Sequence, residues 1–320
     1  MKIHLPNSAF LGNIDPFIKG FDPTNPGILE ITANQKWVFL HPVVLCMVAA
    51  LGEGIDPKKI KCENIIARSG HYLERMGLFK TLKIPSQKKI SEHDPSGRFI
   101  PLTRIRNSDE LGNFLKEIVP LLHLEPKHAE PLKYIVSELV RNVLEHAKVD
   151  TGAVVCAQYH AKSNTIRIGI VDGGVGIKKS INRSYNATTD LEAIKLALMP
   201  GVTGTTKREG GSEQNAGAGL FFIKSIAHVN QNFFMIYSGN AMYKLLKRDE
   251  KKTLVLRADP HLDRHSEESK LPQWNGTVVG VDISLDTTQE FTSLLDLIRD
   301  TYARAIKQRK KARYKKAKFI

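Results

Sequence analysis

The sequence contains few cysteines, and none of them has a metal-binding or redox spacing. Cys46, Cys62 and Cys156 lie far apart, and no CxxC pair occurs among the 320 residues. This distribution provides neither a disulfide framework nor a zinc site. It is typical of free thiols in a reducing compartment.

A long hydrophobic run is also missing. The most apolar stretch, WVFLHPVVLCMVAAL at residues 37–51, is too short to span a bilayer and is interrupted by His41 and Pro42. The first residues, MKIHLPNSAFLGNIDPF, lack the continuous apolar core of a secretory signal. We therefore predict a cytoplasmic protein with no transmembrane segment and about two domains of ordinary size.

Acidic residues are absent from one segment, and this segment explains much of the net charge of +14. Residues 304–318 carry nine lysines and arginines and no acid. The default interpretation is a solvated terminus that aids solubility. The next is contact with nucleic acid through phosphate neutralisation, and a third is contact with an anionic membrane surface.

Strand and helix patterns alternate in the first part of the chain. Residues 28–35 and 37–40 are predicted as strands, and a helix is predicted to begin at Pro42. A further strand and a short helix are predicted at 59–66 and 70–82. This alternation predicts a small α/β layer.

The polar residues 86–110 are predicted to be irregular and form a candidate linker. Helical patterns start at Leu111, strands at 153–161 and 165–172 are predicted to form a hairpin, and a last helix begins near Thr287. The predicted parts are an N-terminal module, a second α/β domain and a basic C-terminal helix or tail, at residues 1–100, 108–288 and 289–320.

One predicted helix, SELVRNVLEHA at 137–147, places Glu138, Asn142 and His146 on one stripe, because these residues are four positions apart. Asn142 offers a neutral oxygen for Mg²⁺, and Glu138 could act as a general base. In isolation, a solvated helix face is the better interpretation of this stripe.

Two glycine motifs follow. In DGGVG, Asp172 ends a predicted strand, and Gly174 and Gly176 leave room for a flat ring to approach the backbone. In GAGL, Gly217 and Gly219 open a helix whose free N–H groups suit a phosphate. Each motif is weak alone, and neither a Rossmann GxGxxG nor a Walker loop is present.

The order of ELVRNVLEHA, DGGVG, GAGL and NGTVVGVDISL resembles the GHKL ATPase superfamily, or Bergerat fold, over about residues 111–285. That superfamily includes histidine kinases, mismatch-repair and heat-shock ATPases, and anti-sigma serine kinases. The resemblance implies an α/β sandwich in which helices cover a mixed sheet. It also implies ATP and Mg²⁺ as cofactors.

The resemblance implies a role for each matching position. Asn142 would be the Mg²⁺ ligand, and Asp172 would read adenine with support from Thr277. The loop 201–219 would be a mobile ATP lid, in which charges at Lys207 and Arg208 either contact phosphate or are merely solvated. The remaining implied nucleotide-binding positions are Gly174 and Gly176 at the base and Gly217, Gly219 and Leu220 at the phosphates.

The spacing of Glu138, Asn142 and His146 resembles the anti-sigma serine kinase branch most, where the Glu is the proposed base. No phosphoacceptor helix precedes the domain, so histidine autophosphorylation is disfavoured and His146 receives no chemical role. The resemblance implies a regulatory protein that phosphorylates a protein partner on Ser or Thr, or hydrolyses ATP as a switch. The alternative is a non-catalytic nucleotide sensor whose tail, residues 304–318, contacts nucleic acid; a homodimer is left open.

Residues 28–84 are similar to a STAS-like module, the fold of anti-sigma antagonists. In that family a Ser or Thr at the start of the central helix accepts phosphate. Here the matching positions are His41, Pro42 and Val43, which carry no hydroxyl. We therefore expect a structural or docking role for this module.

Overall fold

The computed structural model describes residues 1–67, 70–86, 99–122, 126–147, 151–204, 219–247, 255–285 and 291–314. Helices and strands occur together from one end of these residues to the other, so the predicted α/β class is confirmed. Within these ranges, no helix combines the length and the apolar character that a bilayer crossing requires.

The N-terminal elements form a small α/β layer. Its strands pair only in parallel, in the orders β1-β3-β5 and β2-β4, and α2 begins at Pro42 as predicted. The strands are β1 (Lys2–Leu5), β2 (Ser8–Ala9), β3 (Leu29–Ala33), β4 (Phe39–Leu40) and β5 (Ile60–Cys62). The helices are α1 (Asp15–Lys19), α2 (Pro42–Leu51), α3 (Gly70–Arg75) and α4 (Leu78–Leu82).

A seven-stranded sheet lies beside this layer. Its strands are β6 (Phe99–Ile105), β7 (Ala153–His160), β8 (Thr165–Asp172), β9 (Phe234–Gly239), β10 (Ala241–Leu245), β11 (His265–Glu268) and β12 (Trp274–Ser284). They lie in the order β11-β10-β9-β12-β8-β7-β6, and every neighbouring pair is antiparallel. The predicted β7–β8 hairpin is confirmed, but the prediction of a mixed sheet was wrong for these strands.

Helix α2 lies directly on the sheet. A Cβ atom at Gly169 of β8 would overlap the backbone of Pro42 and Val43, so only glycine allows this approach. The N-terminal layer and this face of the sheet therefore share one hydrophobic core, to which Val154, Cys156, Val171 and Tyr237 contribute from the sheet.

The start of α2 is fully buried. The ring of His41 accepts the Val43 N–H at Nδ1 over 3.1 Å, and its Nε2–H donates to Oδ1 of Asp282 over 3.1 Å. Burial lowers the pKa of His41 although Asp282 opposes this shift. The start of α2, which the sequence led us to compare with a phosphoacceptor position, is therefore closed to solvent.

Six helices cover the opposite face of the sheet. The core on this side includes Ile166, Ile168 and Ile170, which share one face of β8 as the alternation predicted, and the last of these helices packs on two of the others. These helices are α5 (Ser108–Leu122), α6 (Pro126–Asn142), α7 (Gly176–Ile181), α8 (Asp190–Ala197), α9 (Gly219–Val229) and α10 (Phe291–Tyr314). The molecule thus has three layers, with the large sheet in the middle.

Part of the predicted linker is a regular strand. We predicted residues 86–110 as irregular, but β6 is the edge strand of the large sheet and pairs with β7, and α5 begins at Ser108. The register shifts between Ile100 and Thr103, around Pro101. Proline is tolerated at such an edge because it removes only a solvent-facing donor.

A buried ion pair anchors α9. Nζ of Lys224 contacts Oδ2 of Asp263, and both side chains are fully buried. The same ammonium donates to the Arg257 carbonyl oxygen over 3.3 Å, and the His228 ring lies 3.6 Å from Oδ1 of Asp263. Burial lowers the pKa of Lys224 while the carboxylate opposes this shift. The pair fixes α9 to the segment that precedes β11.

Candidate functional site

A cavity of about 390 Å³ opens on the helical side of the large sheet, between α6, α7, the start of α9 and the ends of β8 and β12. Its volume lies within the usual range of small-molecule sites. Seven of the sequence-predicted residues line it: Glu138, Asn142, Asp172, Gly176, Gly219, Leu220 and Thr277. Gly174 does not line the cavity, although its N–H donates to Asp172, and Lys207 and Gly217 lie outside the described residues.

Asp172 is the buried carboxylate of the cavity. It is the last residue of β8, directly opposite Thr277 of β12, and its Oδ1 accepts the Gly174 N–H over 2.8 Å. Burial raises the pKa of Asp172 to about 6, and hydrogen bonds from Gly174 and Thr277 oppose that shift. The side chain is therefore held in place with limited solvation, and it can accept a hydrogen bond from a ligand.

The turn after Asp172 packs closely on the end of the α6 segment. A Cβ atom at Gly174 would overlap the carbonyl group of Ala147, and the same carbonyl accepts the Val175 N–H over 3.0 Å. At Gly176 the backbone has a φ of 75°, a conformation that residues other than glycine rarely adopt. Two of the three glycines of DGGVG, Gly174 and Gly176, are thus required by the backbone, and Gly176 also lines the cavity.

Residues Val143–Ala147 form a π-helical turn after α6. We predicted one regular helix through His146, and a wider turn changes which side chains follow Asn142 on the cavity side. Glu145 lines the cavity, and the side chain of His146 lies outside the described part of the chain. Single π turns inside α-helices are frequent at functional sites.

Glu138 and Asn142 meet the first residue of α9. A Cβ atom at Gly219 would lie 2.8 Å from Oε2 of Glu138 and 3.5 Å from Nδ2 of Asn142. Burial raises the pKa of Glu138, with Glu145 acting in the same direction and Arg141 against it. Glu138 and Asn142, for which the sequence allowed either a solvated helix face or a functional role, therefore border the cavity.

The charge of the cavity lining is negative. Glu138, Glu145 and Asp172 are opposed only by Arg141 among the described lining residues. A phosphate-bearing ligand would be repelled unless a cation accompanied it. The described residues contain no cluster of three or more His, Cys, Asp or Glu that could hold a metal ion alone. Mg²⁺ fits this setting, because it binds through few protein oxygens together with phosphates and water.

Several lining residues were not identified from the sequence. Glu145 was given no role, although helical spacing places it on the same face as Glu138, seven residues earlier, and the hydroxyls of Ser180 and Thr203 lie in segments without a motif. The apolar walls at Ile170 and Val279 could have been found from strand alternation, since their neighbours on both strands face the same core.

The pKa of Asp172 predicts a pH-dependent stability. Because its folded value of about 6 lies above the ordinary 3.8, folding favours the protonated form. This contribution is present in full below the ordinary value and is lost as pH rises through about 6. Relative to Asp172→Asn, the nucleotide-free protein should lose up to about 3 kcal/mol of unfolding free energy between about pH 4 and about pH 7. Urea denaturation of both proteins measures this, and a difference that does not change with pH would contradict it.

Gly219→Ala should weaken ligand binding in the cavity. The added methyl group would lie 2.8 Å from Oε2 of Glu138, so the end of that flexible side chain must shift, at little cost to folding. Because the methyl group and the displaced carboxylate take up space at this end of the cavity, we expect about a fivefold loss of affinity for the nucleotide predicted from the sequence, measured by calorimetric titration.

Gly112→Ala is the matched control for this substitution. Gly112 lies within α5, and a Cβ atom there meets nothing within 4 Å. The control should raise the free energy of unfolding by about 0.5–1 kcal/mol and leave the affinity unchanged. Equal affinities of the two variants would argue against the close contact at Gly219.

The sequence matched no protein-family model, and no curated protein with a similar sequence was found.

Proposed function

We propose that this protein binds Mg·ATP in the cavity beside Asp172 and acts as a GHKL-type regulatory protein on a protein partner. The observation that carries the proposal is that three separate sequence motifs, at 138–145, 172–176 and 219–220, line one cavity together with Thr277. Helices, glycine turns and strand ends are each common, but their convergence on one cavity of nucleotide size is not.

In this proposal Asp172 binds the adenine. An exocyclic amine is a donor, and the Asp172 carboxylate is a buried acceptor whose position is fixed by Gly174 and Thr277. The apolar side chains of Ile170 and Val279 would contact the faces of the base. Guanine presents an oxygen at the corresponding position, so ATP should be preferred over GTP.

The phosphates would lie toward Asn142 and the start of α9. Asn142 would hold Mg²⁺ through its side-chain oxygen, and the first N–H groups of α9 at Gly219 and Leu220 would face the phosphates. The ion would offset the negative charge that Glu138 and Glu145 place near this end of the cavity.

Glu138 would be the general base. Burial raises the pKa of Glu138 toward neutral pH. A general base is most effective when its pKa lies near the working pH, and here it would accept a proton from water or from a partner hydroxyl. A Ser or Thr hydroxyl of the partner would give phosphoryl transfer, and water would give hydrolysis. The N-terminal STAS-like layer has a structural or docking role in this proposal, since the start of α2 is buried.

Incubation with γ-labelled ATP, Mg²⁺ and a cell extract separates these outcomes. Label on a protein indicates a kinase, and free phosphate indicates an ATPase. Glu138→Gln should abolish either product while Mg·ATP binding persists, because the amide keeps the shape but cannot accept the proton. Binding without either product would favour a nucleotide sensor.

One observation favours the sensor with a nucleic-acid contact as a second candidate. Helix α10 packs on α9, buries Ile306, and places exposed charges at Arg304 and Lys307. Arg309 donates to the carbonyl oxygen of Pro200, shortly before the predicted lid. Arg304→Glu combined with Lys307→Glu reverses these exposed charges and spares the buried part of α10, so loss of salt-sensitive DNA or RNA binding in this variant would support the candidate.

A further inference from the structure

A second cavity, of about 360 Å³, lies on the opposite face of the large sheet. It is bordered by the turn before α1, the β7–β8 turn, the segment before β9, the end of β10 and strand β12. Its lining includes Phe10, Arg167, Asn232, Phe233, Lys247 and Asp282. Arg167 and Asp172 are both on β8, five residues apart, so the two cavities are separated by about 17 Å along the strand and by the sheet itself.

This second cavity is rich in donors. Arg167 and Lys247 bring two cations to its lining, against the single carboxylate of Asp282. The Asp282 carboxylate already accepts the His41 Nε2–H over 3.1 Å, and it lies 4.0 Å from Nε of Arg167, which is too far for a hydrogen bond. The guanidinium of Arg167 is therefore only partly neutralised.

Two buried donors at this cavity lack an acceptor among the described residues. Nε of Arg167 and Nδ2 of Asn232 make no hydrogen bond there, although Asn232 is only 5% exposed. A buried donor without a partner costs about 1–3 kcal/mol, so a ligand that supplied an oxygen would relieve that cost.

The cavity also has aromatic walls. The guanidinium of Arg167 lies 4.5 Å from the ring centroid of Phe10, and Nζ of Lys247 lies 5.5 Å from that of Phe233. Each cation thus lies beside an apolar surface; this weakens the hydration of the half-buried Arg167 and strengthens its attraction for an anion, whereas Lys247 is exposed. Both rings are half-buried.

We propose that this cavity is a second ligand site, for a small organic molecule with one oxyanion group and an apolar body. Arg167, Lys247 and Asn232 bind the oxyanion, and Phe10 and Phe233 contact the apolar body. The oxyanion is a phosphate monoester or a carboxylate. The site is independent of ATP binding, because none of its residues lines the cavity beside Asp172.

Calorimetric titrations with phenyl phosphate, benzoate and inorganic phosphate test this proposal. We expect one saturable site that binds phenyl phosphate or benzoate more tightly than inorganic phosphate, and the tighter of the two organic probes identifies the oxyanion. The binding should persist in the presence of saturating Mg·ATP. No saturable binding of any probe, or displacement of the probe by ATP, would overturn the proposal.

Two variants and a control locate the binding. Lys247→Ala removes an exposed charge, and Asn232→Asp keeps the side-chain shape but adds a negative charge. Each should weaken binding of the preferred probe by about tenfold or more. Lys61→Ala removes the same charge from an exposed position on β5 and should leave the affinity unchanged. Unchanged affinity in both cavity variants would overturn the assignment.

Discussion

Asp172→Ala is expected, under the proposed function, to weaken ATP binding by about 10- to 100-fold, because it removes the one buried carboxylate among the described lining residues of the cavity. A hydrogen bond to a charged group contributes about 1.5–3 kcal/mol, which corresponds to a loss of this size. The loss should be specific to adenine. The wild-type protein should bind ATP more tightly than GTP, and Asp172→Ala should lose most of this preference. Calorimetric titration of both proteins with both nucleotides measures it.

Asp300→Ala is the control for this experiment. Asp300 is exposed on α10 and does not line the cavity, so its removal changes the net charge equally without touching the site. If the two variants bound ATP equally well, Asp172 could not be the adenine contact. A thermal-unfolding curve for each variant separates loss of binding from loss of folding.

Lys224→Met is expected to cause the largest loss of stability, about 3–5 kcal/mol. The substitution keeps an apolar side chain of similar length but leaves the fully buried Asp263 carboxylate without its cation. The nearest other group is the His228 ring, which lies 3.6 Å from Oδ1 of Asp263, beyond a normal hydrogen bond, so it can replace the ammonium only in part. Chemical denaturation of the wild-type and variant proteins measures the effect.

Two further variants test whether the cause is the uncompensated charge. Lys224→Met combined with Asp263→Leu should recover most of the stability, because replacing both buried partners by apolar groups is often neutral. Lys19→Met breaks the exposed pair with Glu268 and should change stability far less. A small effect of Lys224→Met alone would show that the pair does not anchor α9.

The sequence predicted the elements that have strong local signals. The helix at Pro42, the β7–β8 hairpin and the helix opened by Gly219 are present, because periodicity, a proline at a first turn and glycine at a helix start are local properties. The edges of the large sheet were missed. Strand β6 contains Pro101 and β11 is the polar sequence HSEE, so neither shows the alternation of a half-buried strand.

Sheet direction and helix regularity could not be obtained from local patterns. The antiparallel large sheet depends on β12 pairing between β8 and β9, which are separated by three helices in the chain. The π-helical turn at Val143–Ala147 accompanies the contacts that Gly174 and Val175 make with Ala147. Such tertiary contacts override the intrinsic preference of the segment, and the sequence alone does not reveal them.

The structure brings most of the residues chosen for the candidate site together, while their functional roles stay predictions. The residue types at Glu138, Asn142, Asp172 and Thr277 were selected for their chemistry and their order, and they line one cavity. Glu145 was given no role, although its helical spacing from Glu138 places both side chains on one face. The residues of the second cavity come from five distant segments and form no motif, so only their arrangement in space brings Arg167, Asn232 and Lys247 together.

The most direct test of the proposed function is the Mg²⁺ dependence of ATP binding to the wild-type protein and to Asn142→Ala. Calorimetric titrations with ATP are made with Mg²⁺ and with a chelator. The proposal predicts that Mg²⁺ strengthens binding by the wild type and that this gain is lost in the variant, since Asn142 supplies the protein oxygen to the ion. No Mg²⁺-dependent ATP binding by the wild type, or an undiminished gain in Asn142→Ala, would contradict it.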